Sequence, residues 1–148
     1  MFRREEIQFW CWLATQAACS QFLIWYGVPI YRRLHAADPQ GATPTDLALV
    51  LVAVVVMQSA YWLAFRVQPR VRFGRNVVLG HGLIWIGELS LFFSAAVAVF
   101  ILFDRGGELE FTFWKLFTLA AILFAVSCYK HQLMSLGDTL INAEAGKT

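Results

Sequence analysis

Long uncharged runs separated by short charged ones set the pattern of this chain. No charged residue falls between Ile7 and Tyr31, a stretch long enough, at about 1.5 Å per residue, to cross about 30 Å of hydrocarbon. A second uncharged run, 47–65, follows Thr43-Pro44-Thr45-Asp46. That tetrapeptide reads as a helix start, with Thr43 as cap, Pro44 at the first helical position and Asp46 accepting from free amides. A third run, 77–103, is broken only by Glu88, and a fourth, 111–129, holds Lys115 about one turn from its start, where a long stem reaches the interface. The pattern predicts transmembrane helices near 8–28, 47–65, 77–103 and 111–129, joined by loops short enough to make them antiparallel neighbours. The expected fold class is all-α: a polytopic membrane protein, an up-down bundle of four transmembrane helices forming one domain over 1–148. Residues 130–148 are expected as a cytoplasmic tail. Leu133, Leu136, Leu140 and Ile141 keep helical spacing there, so helix four can continue past the membrane or bend along its surface.

Composition supports a bilayer as the solvent. The 148 residues are 59% hydrophobic and 15% charged, with a mean hydropathy of +0.58, whereas soluble chains carry about 25% charged residues. Folded in water, so short a chain has too little interior for that much apolar surface, which excludes disorder and most soluble enzymes. The net charge of +2 is divided among short loops and forms no patch for nucleic acid. Cys11, Cys19 and Cys128 lie in apolar segments, and an odd number without paired spacing predicts neither a disulfide framework nor a zinc site. Arg3 and Arg4 before an apolar run resemble a signal peptide. Glu5, Glu6, three tryptophans and Gln16 argue for a retained helix instead.

Basic residues then orient the spans. With both termini cytoplasmic, eight Lys and Arg lie inside and four outside, as the positive-inside bias requires. Arg66, Arg70, Arg72 and Arg75 in the loop 66–75 decide the count, and the acidic loop 104–110 suits the far side, against a counter-signal from Arg32 and Arg33. The same basic loop would suit anionic lipid or an acidic partner. The location expected is an inner (plasma) membrane with both termini in the cytoplasm.

Few residues in the spans offer chemistry. Counted from Val77, Glu88 lies roughly 16 Å deep, where a carboxyl must be paired, protonated or wet. It reads either as a proton or cation site or as a packing residue hydrogen-bonded to neighbouring helices. Gln16, Gln58 and Ser59 are expected at the same depth, forming with Glu88 a polar midplane layer that either satisfies the carboxyl or lines a small polar cavity. On helix one, Gln8, Cys11, Trp12, Thr15, Gln16 and Cys19 share a face expected to point inward. His81 lies seven residues before Glu88, and His131 closes helix four. A haem or metal between helices three and four is conceivable there, beside the simpler reading of interfacial or hydrogen-bonded histidines. No cofactor is otherwise predicted. Gly80 and Gly87 form a small-residue stripe, expected to stay available with Trp62 to a neighbouring chain.

No phosphate-binding loop, nucleophile elbow or HExxH occurs. The leading expectation is a non-catalytic integral-membrane subunit or accessory protein of a larger complex, its partners lipid, other membrane subunits or copies of itself. A small proton-coupled carrier or channel using Glu88 comes second, and a haem- or quinone-binding redox anchor using His81 and His131 third.

Overall fold

A computed structural model describes residues 4–35, 43–68, 74–104 and 113–143. Four helices account for nearly all of them: α1 (Arg4–His35), α2 (Pro44–Val67), α3 (Val77–Asp104) and α4 (Phe113–Asn142). The protein is all-helical over these residues, and α2, α3 and α4 are each long and apolar enough to cross a membrane. The first helix has the length without the apolarity. Gln8, Thr15, Gln16, Ser20 and Gln21 dilute its uncharged run; freedom from charge is a weaker criterion than hydropathy, and it was the only one α1 met.

Local chemistry explains the helix starts. Thr43 is extended (φ −73°, ψ 157°) and caps α2: the Asp46 N–H donates to Thr43 Oγ1 at 3.2 Å, and the Thr43 N–H donates back to Asp46 Oδ2 at 3.0 Å. Pro44 opens the helix, where its missing N–H costs nothing. At the start of α3 the Leu79 N–H donates to Asn76 Oδ1 at 3.0 Å, so Asn76 is the cap that the hydropathy pattern did not reveal. Glu5 and Glu6 occupy the first turn of α1, where the helix dipole favours negative charge. That helix continues through Pro29 to His35, beyond the span expected at 8–28.

The segment 130–142, expected as tail, is the continuation of α4 and part of the core. Gln132, Leu133, Leu136, Gly137 and Leu140 are buried there. Of these, Leu133, Leu136 and Leu140 join Phe9 and Leu13 of α1 and Val50, Val54, Met57 and Ala64 of α2 in one apolar cluster. Helix α1 packs on α2, α3 on α4, and α2 on α4. Contacts fix the directions: Gly80 meets Gly137, Gly87 meets Lys130 and Leu133, and the Asn76 N–H donates to Leu140 O at 3.0 Å, so α3 and α4 are antiparallel. Gln58 reaches Cys128 and Gln68 reaches Ser135, so α2 and α4 run the same way.

The stripe of small residues on α3 is the seam with α4. A Cβ on Gly80 would lie 2.7 Å from Gly137 O, and one on Gly137 would lie 2.6 Å from Gly80 O; the two backbones touch at this crossing. Gly87 and Ala98 continue the same buried edge. The Gly80 and Gly87 edge expected to await another chain is therefore occupied within this one. Trp62, by contrast, is exposed on α2. On the remaining sides of α3, Val78, Trp85, Phe92 and Phe93 are among the most exposed large apolar side chains of the protein.

Candidate functional site

Polar side chains converge where α4 meets α1 and α2. Gln132 lies on the buried edge of α4 with Tyr129, Leu133 and Leu136, and Gln16 lies on the buried edge of α1 with Phe9 and Leu13. Both are closed off from solvent, at 1% and 0% exposure. The Gln16 Nε2 amide donates to Gln132 Oε1 at 2.8 Å and faces the Trp12 carbonyl at 3.5 Å. One turn back along α4, Cys128 Sγ takes a long contact of 3.5 Å from Gln58 Nε2 of α2. Neutral side-chain bonds inside a membrane protein are worth about 1 kcal/mol each, enough to fix which faces meet.

Expected members of a midplane layer divide accordingly. Gln16 and Gln58 are in this junction. Ser59 is exposed and donates to its own helix at Val55 O, 2.8 Å away. Glu88 is elsewhere: its carboxylate Oε1 lies 2.9 Å from Lys130 Nζ, with 53% of the Glu88 side chain and 22% of the Lys130 side chain exposed. Lys130 and Gln132 are two residues apart, about 200° around α4, so the ion pair and the amide pair lie on opposite sides of that helix. Of the face of α1 expected inward, Gln16 is buried and Trp12 and Cys19 pack against the core, whereas Gln8 and Cys11 are exposed and Phe9 and Leu13 are buried instead.

His81 and His131 are both exposed. Because Gly80 meets Gly137 and Glu88 meets Lys130, the two histidines are offset along the α3–α4 seam by about six residues, roughly 10 Å. The structure does not bring them together. Among the described residues no three His, Cys, Asp or Glu side chains form a cluster able to hold a metal ion.

A second polar cluster lies at the other end of the α1–α2 pair. Asp46, itself buried, accepts from the Tyr26 hydroxyl at 2.8 Å, from Arg33 Nη2 at 2.9 Å and from the Thr43 N–H at 3.0 Å. One carboxylate thus caps α2 and ties α1 to it. The counter-signal of the sequence, Arg33, has a structural partner here.

The register of the helices also sorts the charges into two levels. Glu88 and Lys130 share one level, and Arg66 falls within about one turn of it, because Gln58 and Gln68 flank it against Cys128 and Ser135. Arg33 and Asp46 lie toward the opposite end, as do Asp104 and Lys115 on the antiparallel α3 and α4. Between the levels α2, α3 and α4 carry no charged residue for 47–65, 89–103 and 116–129, about 21 to 28 Å of helix. Arg66 and Arg75 of the basic loop are exposed, while Arg70 and Arg72 lie outside the described residues, as does most of the acidic loop 104–110.

Sequence reasoning missed Gln132, Cys128 and Lys130, each the α4 partner of a residue it had singled out. The signal was present in the helical spacing of Leu133, Leu136 and Leu140, which carries the α4 face through position 132. Comparison with protein-family models, with curated proteins and with solved structures finds no match.

Proposed function

We propose that this chain is a non-catalytic integral-membrane subunit or accessory protein of a larger membrane complex, folded as an up-down bundle of four transmembrane helices in an inner (plasma) membrane with both termini cytoplasmic. The observation that carries the reading is the direction of its side chains. Four polar pairs join helices of the same chain, Gln16–Gln132, Gln68–Ser135, Arg33–Asp46 and Glu88–Lys130, while Gln8, Gln21, Ser59, His81 and His131 are exposed. Large apolar groups face outward on all four helices, including Trp25, Val55, Trp62, Trp85, Phe92, Phe93, Trp114 and Phe124. The charge-free band between the two levels of charge approaches the thickness of a bilayer's hydrocarbon core. It gives α1 a place beside three more apolar helices, with Gln16 turned to Gln132 of α4.

In this frame Glu88 belongs to the cytoplasmic border of the band, where Lys130 neutralises it and both stems reach headgroups. Eleven residues of α3 (77–87) and twelve of α4 (131–142) then extend past the border, which accounts for the exposed Asp138, Thr139 and Asn142 on α4. The test is purification from native membrane in mild detergent with mass spectrometry. Stoichiometric partner polypeptides, and a complex in which this chain buries more than about 1,000 Å² against them, are the expected result; a lone chain that catalyses flux after reconstitution contradicts it.

A small polar-solute or proton carrier is the second reading. It draws on one observation, the three amide atoms Gln16 Oε1, Gln58 Oε1 and Gln132 Nε2, which are buried without a hydrogen-bond partner.

A further inference from the structure

A buried polar atom without a partner loses its hydration and gains nothing in return, so each such atom calls for a ligand or a water. Three of them belong to amides that meet α4 at Cys128 and Gln132, one turn apart. Gln16 Oε1 and Gln132 Nε2 belong to amides already joined by a 2.8 Å bond, on side chains that are 0% and 1% exposed. Gln58 Oε1 belongs to an amide held at Cys128, one turn along the same face of α4.

The chemistry of the three atoms narrows the ligand. Two are carbonyl acceptors and one is an NH₂ donor. An anion would be repelled by the two carbonyl oxygens. A metal cation would be repelled by the Gln132 NH₂ and would find no carboxylate, because Glu88 is on the far side of α4 and already paired with Lys130. A small neutral molecule with donor and acceptor capacity on one atom satisfies the set, and water is the smallest such molecule, making typically about three hydrogen bonds when buried.

We propose that the α1–α2–α4 junction is a binding site for an internal water, which accepts from Gln132 Nε2 and donates to Gln16 Oε1, with Gln58 Oε1 as the further acceptor. The water completes a polar joint between α1 and the rest of the protein. The site rests on the packing of α1, α2 and α4 and is independent of whether the chain serves as a subunit or a carrier.

Water-to-amide cross-relaxation NMR on protein with ¹⁵N-labelled glutamine, in detergent micelles, tests it, with Gln132 assigned by substitution. The expected result is a cross-peak between the Gln132 side-chain NH₂ and a water whose residence is long compared with bulk exchange. The cross-peak should disappear in Gln16→Leu. Because Gln16→Leu leaves Gln132 unpaired and can impair folding, the double variant Gln16→Leu/Gln132→Leu supplies a second arm: it removes both amides, should fold, and should lose one long-lived water from the total seen by oxygen-17 relaxation dispersion. A Gln132 NH₂ with no water cross-peak in the native protein, or a double variant with an unchanged count of long-lived waters, overturns the proposal.

Discussion

At the scale of single residues, the sharpest constraint is steric. Gly80 and Gly137 touch backbone to backbone, and a Cβ on either would fall under 3 Å from a carbonyl oxygen and from an isoleucine side chain. Gly137→Ala should therefore force the α3–α4 seam apart and lower stability by about 1–3 kcal/mol. Gly82 on the facing helix α3 is the control, with open space around its Cβ position, and Gly82→Ala should stabilise by up to about 1 kcal/mol through helix propensity. Thermal unfolding of both variants in detergent checks the pair, and equal effects would deny the crossing. Glu88 is a milder case. More than half of its side chain is exposed beside Lys130, and such pairs contribute about 0–1 kcal/mol. Glu88→Gln should accordingly leave folding near normal by the same measurement. A loss of several kcal/mol would mean that Glu88 is far more deeply engaged than its ion pair implies.

Among elements, α4 distinguishes what the sequence shows from what it hides. The start of α2 was readable atom by atom, because capping is local: Thr43, Pro44 and Asp46 need only one another. The extent of α4 was readable in part: the spacing of Leu133, Leu136, Leu140 and Ile141 allowed the helix to continue, but hydropathy marks where a helix leaves the hydrocarbon and is silent on what its continuation packs against. Positions 130–142 carry Lys130, His131, Gln132 and Asp138 and so read as tail, yet their apolar edge completes the core. The partner of Glu88 was hidden for the same reason, since tertiary register decides it and no local pattern records it. A chain ended after Tyr129 should fail to accumulate as a folded protein, as it loses Leu133, Leu136 and Leu140 from the cluster. One ended after Ala143 should behave like the full chain. Size-exclusion profiles in detergent distinguish the two, and normal folding of the shorter chain would return 130–142 to the status of a tail. On α1 and α2, Asp46→Ala removes one half of the capping box, the bond from the Thr43 N–H, together with the Arg33 and Tyr26 ties. A lost capping interaction costs about 1 kcal/mol, and the variant should be at least that much less stable in chemical denaturation.

For the whole molecule, the two levels of charge and the apolar band between them carry the membrane reading. The proposed orientation rests on the basic loop and predicts that a reporter fused at the C-terminus reads as cytoplasmic, and that a cysteine at Gly107 is labelled from outside while one at Val71 is not. The reverse labelling would invert the protein. The depth of α3 is the more direct test of the central claim, because the sequence count from Val77 puts Glu88 near the middle of the bilayer, whereas the proposed charge-free band, which ends at the Glu88–Lys130 pair, puts it at the border. Spin labels placed singly along α3 in lipid vesicles, with Cys11, Cys19 and Cys128 replaced by alanine, report depth through their relative exposure to oxygen and to a polar nickel chelate. The expected profile rises from Trp85 to a maximum near Ala96, midway between Glu88 and Asp104, and falls again toward Asp104. A maximum at Glu88, or no preference for oxygen anywhere along the helix, would contradict a bilayer bounded by the two levels of charge.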